Sequence, residues 1–106
     1  MSKISSILGL ASKAGQLITG TAGVEEAIRK HKVSLVICAA DLSPKTVKNF
    51  RYLCEREKID FLSFGLRTEL SGWIGRPGRG IIGVVSRQFS GVILSLINDA
   101  RDPREG

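Results

Sequence analysis

A chain of 106 residues with 42% apolar and 25% charged residues has the make-up of a single globular domain with a core of its own. Its 16 lysines and arginines against 10 acids leave a net charge of +6 and an isoelectric point of about 9.8. That balance points to a polyanionic partner, most simply nucleic acid, against the plainer reading of a basic protein without one. Two cysteines, Cys38 and Cys54, are too few for a disulfide framework and sit in apolar surroundings, as buried free thiols do. His31 is the one histidine, so a zinc site lacks ligands. No segment approaches the roughly 20 apolar residues of a membrane span and no signal-peptide pattern opens the chain, so a cytoplasmic location is expected.

Ile4, Ile7, Leu8, Ala11 and Ala14 recur at helical spacing and predict an amphipathic helix over residues 3–14, ended by Gly15. Leu17 to Thr19 has room only for a short strand. Val24, Ala27, Ile28 and His31 mark one face of a second helix, with Thr21 as its expected N-cap and Glu25 and Glu26 near the positive end of its dipole. Residues 35–40, Leu-Val-Ile-Cys-Ala-Ala, are an unbroken apolar run, the pattern of a strand covered on both faces. Ser43 and Pro44 fit the N-cap and first position of a third helix, which turns Val47, Phe50, Leu53 and Cys54 inward. Lys45, Lys48, Arg51, Arg56 and Lys58 lie elsewhere around it, as a solvated basic surface.

Ile59 to Phe64 reads as another strand. Thr68 opens a short helix carrying Leu70, Trp73 and Ile74, with Trp73 assigned to the core. Gly75-Arg76-Pro77-Gly78-Arg79-Gly80 is a turn-rich basic loop, and Ile81 to Val85 a fourth strand. Ser86 caps a last helix with Phe89, Val92, Ile93, Leu96 and Ile97 inward, followed by a polar, frayed tail from Asn98. Helices and short strands alternate throughout, which predicts a helix/sheet/helix sandwich with the strands at 35–40 and 81–85 in the centre.

Two stretches carry chemistry. The turn Gly20-Thr21-Ala22-Gly23 leads from a strand into a helix, where backbone N–H groups point outward and an anion can bind. Its glycines also fit a turn that is only a joint. It has neither a Gly-x-Gly-x-x-Gly nor a Walker lysine, so a nucleotide site is not expected. The segment from Ser63 to Gln88 holds Arg67, Arg76, Arg79 and Arg87 against one acid, Glu69, and arginine forks suit phosphate and guanine edges. No His/carboxylate pair, nucleophile elbow or ligand cluster suggests an enzyme.

The ordered set Leu8-Gly9-Leu10-Ala11, Ala14-Gly15, Gly20, Val24, Ala27-Ile28, Leu35-Val36-Ile37, Ala39, Asp41, Cys54, Arg67, Glu69-Leu70, Ile74-Gly75 and Val84-Val85 resembles the L7Ae/L30e superfamily of kink-turn RNA-binding ribosomal proteins, in particular its bacterial YlxQ-like branch. The resemblance reaches to about residue 97. It implies an α/β fold, a three-layer α-β-α sandwich with a mixed four-stranded sheet. It also implies an RNA site built from the turn into the second helix and from the fourth helix with the loop after it. RNA-binding relatives carry Gly-x-Asn-Glu-x-x-Lys in that turn. Here Gly20 matches, but Ala22, Gly23 and Glu26 stand at the Asn, Glu and Lys positions. Ser71 replaces a frequent glycine and Trp73 a small residue, while Arg67 keeps the basic position.

The expectation is one domain over residues 1–98 with a polar tail at 99–106. It is a non-catalytic RNA-binding protein of the ribosomal or ribosome-associated kind, without metal or cofactor, recognising kink-turn-like RNA mainly through backbone contacts. Its expected RNA-binding residues are Lys13, Gly20, Thr21, Ala22, Gly23, Arg67, Arg76, Gly78 and Arg79. The partner is ribosomal RNA or another kink-turn RNA, with ribosomal proteins as further partners and no membrane, and a monomer is favoured. The alternative is a protein-interaction adaptor that keeps the fold without specific RNA binding. A small-molecule-binding domain is a third reading and would need a deep pocket.

Overall fold

A computed structural model describes residues 3–76 and 79–100. The elements in chain order are α1 (Lys3–Lys13), β1 (Leu17–Thr19), α2 (Thr21–Arg29), β2 (Leu35–Cys38), α3 (Pro44–Glu57), β3 (Asp60–Ser63), α4 (Arg67–Ile74), β4 (Ile81–Val84) and α5 (Arg87–Ala100). The strands form one sheet in the order β1-β4-β2-β3. β4 is antiparallel to both β1 and β2, and β2 is parallel to β3. The two most apolar strands are thus the central pair, as their composition predicts.

Side chains alternate across the pleat. Leu35 and Ile37 of β2, with Ile82 and Val84 of β4, join Ile4, Leu8, Leu70, Ile93 and Ile97 in a core between the sheet and α1, α4 and α5. Val36, Cys38 and Ile81 join Val24, Ala27, Ile28, Phe50, Leu53 and Cys54 in a second core under α2 and α3. This is the mixed sheet between two helical layers that the sequence leads one to expect. Trp73 is half-buried against the first core, in keeping with a packing role. Gly83 sits in the second layer's path: a Cβ there would lie 2.8 Å from Val33 Cγ1, so Val33 roofs the strand only because that position is glycine.

Several boundaries and orientations differ from expectation. Gly20, not Thr21, is the N-cap of α2, and Thr21 is the first helical residue. His31 does not continue the buried face of α2. It lies beyond the end of the helix, exposed and with φ 55°, where its Nε2 meets Glu57 Oε1 at 2.7 Å and ties the end of α2 to the end of α3. The hydrogen bond from His31 holds the Glu57 carboxyl below its usual range. Glu25 and Glu26 face Arg29 and Lys30 one turn on, rather than serving the helix start. α4 starts at Arg67, one residue early. Val92 points outward, at 41% exposure, because Phe89, Ile93 and Ile97 already fill the inner face of α5. α5 runs to Ala100, so the expected tail from Asn98 begins as helix, and residues 101–106 lie outside the described range.

Cys38 and Cys54 are free and buried in the same core. Loss of solvation on burial pushes both thiols from 9.0 up to about 12. A raised folded pKa contributes stability that is complete below about pH 9 and is lost as pH climbs toward 12. Urea denaturation across alkaline pH should therefore show stability falling above about pH 9. The double variant Cys38→Ala/Cys54→Ala should flatten that part of the fall, and a thiol reagent should reach the cysteines only after unfolding.

Candidate nucleic-acid interface

Strand direction decides where the helices begin. β1, β2 and β3 all run the same way, each antiparallel to β4 or parallel to a strand that is. α2, α3 and α4 each follow one of them directly, so all three helices start at the same rim of the sheet. Three positive dipole ends face one edge of the molecule.

Two of those ends are already supplied with acceptors. Ser43 Oγ accepts from the Thr46 N–H at 3.2 Å at the start of α3. At the start of α4, Arg67 N–H donates to Asp41 Oδ1 at 2.9 Å and Leu66 N–H to Glu69 Oε1 at 2.9 Å. α2 is different. Its cap, Gly20, has no side chain, and its own N–H is spent on Ile81 O at 3.2 Å. The first intrahelical bond is Val24 N–H to Gly20 O at 3.1 Å. That leaves the N–H groups of Thr21, Ala22 and Gly23 without an acceptor among the described residues, and all three residues are exposed.

Beside this open end lies a cleft of about 190 Å³ lined by Gly20, Thr21, Leu42, Thr46, Arg67, Arg79, Gly80 and Ile81. The Arg79 guanidinium is over Gly20: a Cβ added there would lie 3.1 Å from Nη1. Gly80 lets the Arg67 stem come equally close, its Cγ 3.1 Å and its Cδ 3.2 Å from where a Cβ would be. Ser71 Oγ donates to Arg79 O at 2.7 Å and fixes the backbone that carries the arginine. Neither guanidinium has a carboxylate partner among the described residues. Two unpaired forks and three unmatched N–H groups converge on one open notch, an arrangement that accepts phosphate oxygens.

The fold thus brings Gly20, Thr21, Arg67 and Arg79 together, with Ala22 and Gly23 on the adjoining first turn of α2. Lys13 and Arg76 do not line the cleft. They flank the contact of α1 with the end of α4, where Ser12 Oγ donates to Ile74 O at 2.9 Å. Gly78 lies outside the described residues. Arg87, grouped with the other arginines in sequence, is at the opposite end of the sheet, because β4 carries the chain across before α5 begins. Leu42, Thr46 and the cap made by Asp41 are additions that the structure makes to the expected site. Their signal lay only in position, just after the central strand at the rim where helices start.

The family described as Ribosomal protein L7Ae/L30e/S12e/Gadd45 matches residues 2–93. RNA-binding protein YlxQ of Bacillus subtilis (strain 168) is 28% identical over 92 residues, 87% of this chain and 92% of that protein. RNA-binding protein YlxQ of Enterococcus faecium is 30% identical over 95 residues, 90% of this chain and 91% of that one. A solved protein of unknown function from Bacillus halodurans C superposes with a TM-score of 0.90 at 36% identity, over 92% of this chain and 99% of that one. The Giardia lamblia 15.5kD RNA binding protein shares the fold, with a TM-score of 0.77 at 15% identity over 92% of this chain and 84% of that one.

Gly20 has φ 91° and ψ 156°, a region that side-chain-bearing residues avoid. Gly20→Ala should cost about 1–3 kcal/mol in urea denaturation and displace the Arg79 guanidinium. Gly72→Ala, in the middle of α4 with open space around it, should instead leave stability unchanged or raise it by up to about 1 kcal/mol.

Proposed function

This chain belongs to the ribosomal protein L7Ae/L30e/S12e/Gadd45 family, and from that premise we propose that it is a non-catalytic RNA-binding protein, ribosomal or ribosome-associated. It takes structured, kink-turn-like RNA at the rim where α2, α3 and α4 begin. The observation that carries this reading is the uncapped start of α2 beneath the Arg79 guanidinium, beside Arg67. Phosphates of the RNA backbone accept from the N–H groups of Thr21, Ala22 and Gly23 and from the two arginine forks. Relatives that carry the name RNA-binding protein support RNA as the partner. The cytoplasm is the compartment this reading requires.

Ala22 and Gly23 offer no side-chain donor or acceptor to a base edge. Glu26, an acid where RNA-reading relatives carry lysine, forms an ion pair with Lys30 at 3.3 Å, which reduces its repulsion of nearby phosphate. Contact is therefore mostly with backbone, and affinity depends steeply on salt. The same three substitutions are what favours a second reading, an adaptor that keeps the fold and contacts protein instead.

Filter binding of a kink-turn RNA at two salt concentrations separates the two. The RNA-binding reading expects tight binding at low salt that weakens steeply as salt rises. Arg67→Glu/Arg79→Glu should lower affinity at every salt and reduce the slope of log affinity on log salt by roughly two. Absence of binding at low salt, or a double variant that binds like the parent, would leave the adaptor.

A further inference from the structure

The opposite end of the sheet carries a second cationic cleft, and it is larger, about 390 Å³. It is framed by three separate connections. Lys32, Val33 and Ser34 come from the link between α2 and β2. Lys58 and Ile59 come from the link between α3 and β3, and Asp60 opens β3. Val85, Arg87, Ser90, Gly91 and Leu94 come from the end of β4 and the first turns of α5. The frame is firmly held. Ser34 Oγ and Ser90 Oγ are 2.6 Å apart, and Ser34 N–H donates to Val84 O at 2.8 Å.

We infer that this cleft is a second RNA-backbone site, so that one molecule holds two RNA segments, one at each end of its sheet. Three cations, Lys32, Lys58 and Arg87, meet one carboxylate, Asp60, and none of the three has an ion-pair partner among the described residues. His31 also lines the cleft, but its ring is engaged by Glu57. Local electrostatics account for two of the cations. Lys32 and Lys58 follow the C-terminal ends of α2 and α3, where positive charge is favoured. Arg87 is not accounted for in this way. It is the first residue of α5, at the positive end of a helix dipole, and lines the same cleft as the two lysines. Exposed and without a carboxylate partner among the described residues, its guanidinium is free to take an external anion.

The shape favours a nucleic-acid backbone among anions. The cleft is open and is shared by three elements, so it offers no enclosed pocket for a small phosphorylated molecule. Its apolar members, Val33, Ile59, Val85 and Leu94, are set between charges and include no aromatic residue of the kind that anchors a docked protein segment. Phosphate contacts need only charge and exposed donors. The inference rests on the proposed function, that is, on RNA being the partner and on the first RNA sitting at the rim where α2, α3 and α4 begin. The two clefts lie at opposite ends of β2, whose end Cα atoms are roughly 10 Å apart. That exceeds the Debye length of about 8 Å at physiological salt, so charge changes at one end are screened from the other.

The experiment is a stoichiometric titration of the full chain by native mass spectrometry and two-colour RNA bridging. The protein is first saturated with one kink-turn RNA, and a short RNA duplex without a kink is then added. The expected result is a complex of one protein with both RNAs. Lys32→Glu/Lys58→Glu/Arg87→Glu should hold the kink-turn RNA with unchanged affinity and lose the second RNA by tenfold or more, with a salt slope for that step smaller by roughly three. The milder Lys32→Gln/Lys58→Gln/Arg87→Gln serves if charge reversal compromises folding, and should weaken the second step in the same direction. Asp60→Asn should tighten it, a gain that damage to the fold does not produce.

A parent protein that stops at one RNA overturns the inference, and so does a triple variant that still bridges. Capture of an oligoglutamate peptide at the cleft in place of the duplex overturns it in favour of an acidic protein partner. If the parent binds no RNA at all, the proposed function fails with it. If the kink-turn RNA binds and the duplex does not, only the second site fails.

Discussion

β2 and β4 pair antiparallel, Leu35 with Val84 through to Cys38 with Ile81, and all eight residues are buried. Neither strand has a face for water, so each must be covered twice, and the helices are distributed accordingly: α1, α4 and α5 on one side, α2 and α3 on the other. Strands this short cannot vary their register without turning a whole apolar set to the wrong side. The pairing therefore fixes both ends of the sheet, and with them every connection that carries charge.

That constraint gives the two rims their different characters. Because β1, β2 and β3 run in one direction, one rim collects the starts of three helices and the other collects the ends of α2 and α3 with the start of α5. At the first rim the cations, Arg67 and Arg79, come close to backbone through Gly20 and Gly80, where no Cβ stands in the way. At the second rim Lys32 and Lys58 stand on links and Arg87 opens α5. The first rim combines charge with directed N–H donors, and the second is chiefly charge.

The order of elements was legible because apolar spacing changes period cleanly from 3.6 to 2 along this chain, and the doubly buried runs at 35–40 and 81–85 name the central strands. Caps were legible where a side chain makes them, as at Ser43. The cap at Gly20 was not, because a glycine cap rests on a positive φ rather than on a hydrogen-bonding group, and the neighbouring Thr21 is the residue type that ordinarily caps. Val92 falls at core spacing yet points outward, since periodicity marks a face but not how wide a face its neighbours can cover. Arg67 and Arg79 are separated by a helix and a loop, and sequence alone grouped them with Arg87, which lies across the sheet. Only the direction of β4 separates these arginines. Leu42 and Thr46 line the first cleft, and Asp41 caps the start of α4, by position rather than by type, so nothing in their residue types announces those roles.

The substitutions at the turn into α2 change what the first rim can recognise. Gly20 preserves the backbone geometry, and the N–H groups of Thr21, Ala22 and Gly23 remain open whatever side chains those positions carry. Base edges, in contrast, are read by side chains, and Ala22 and Gly23 have none to offer. On the proposed function, discrimination must then come from the path of the RNA backbone: a chain bent sharply enough to place phosphates on the helix start and on both arginine forks at once is favoured over a regular duplex, which meets only part of that set. Such selection by shape asks for rigid placement of few groups. That is what the Ser71 bond to Arg79 O, the Asp41 bond to Arg67 N–H and the close approach at Gly20 and Gly80 provide.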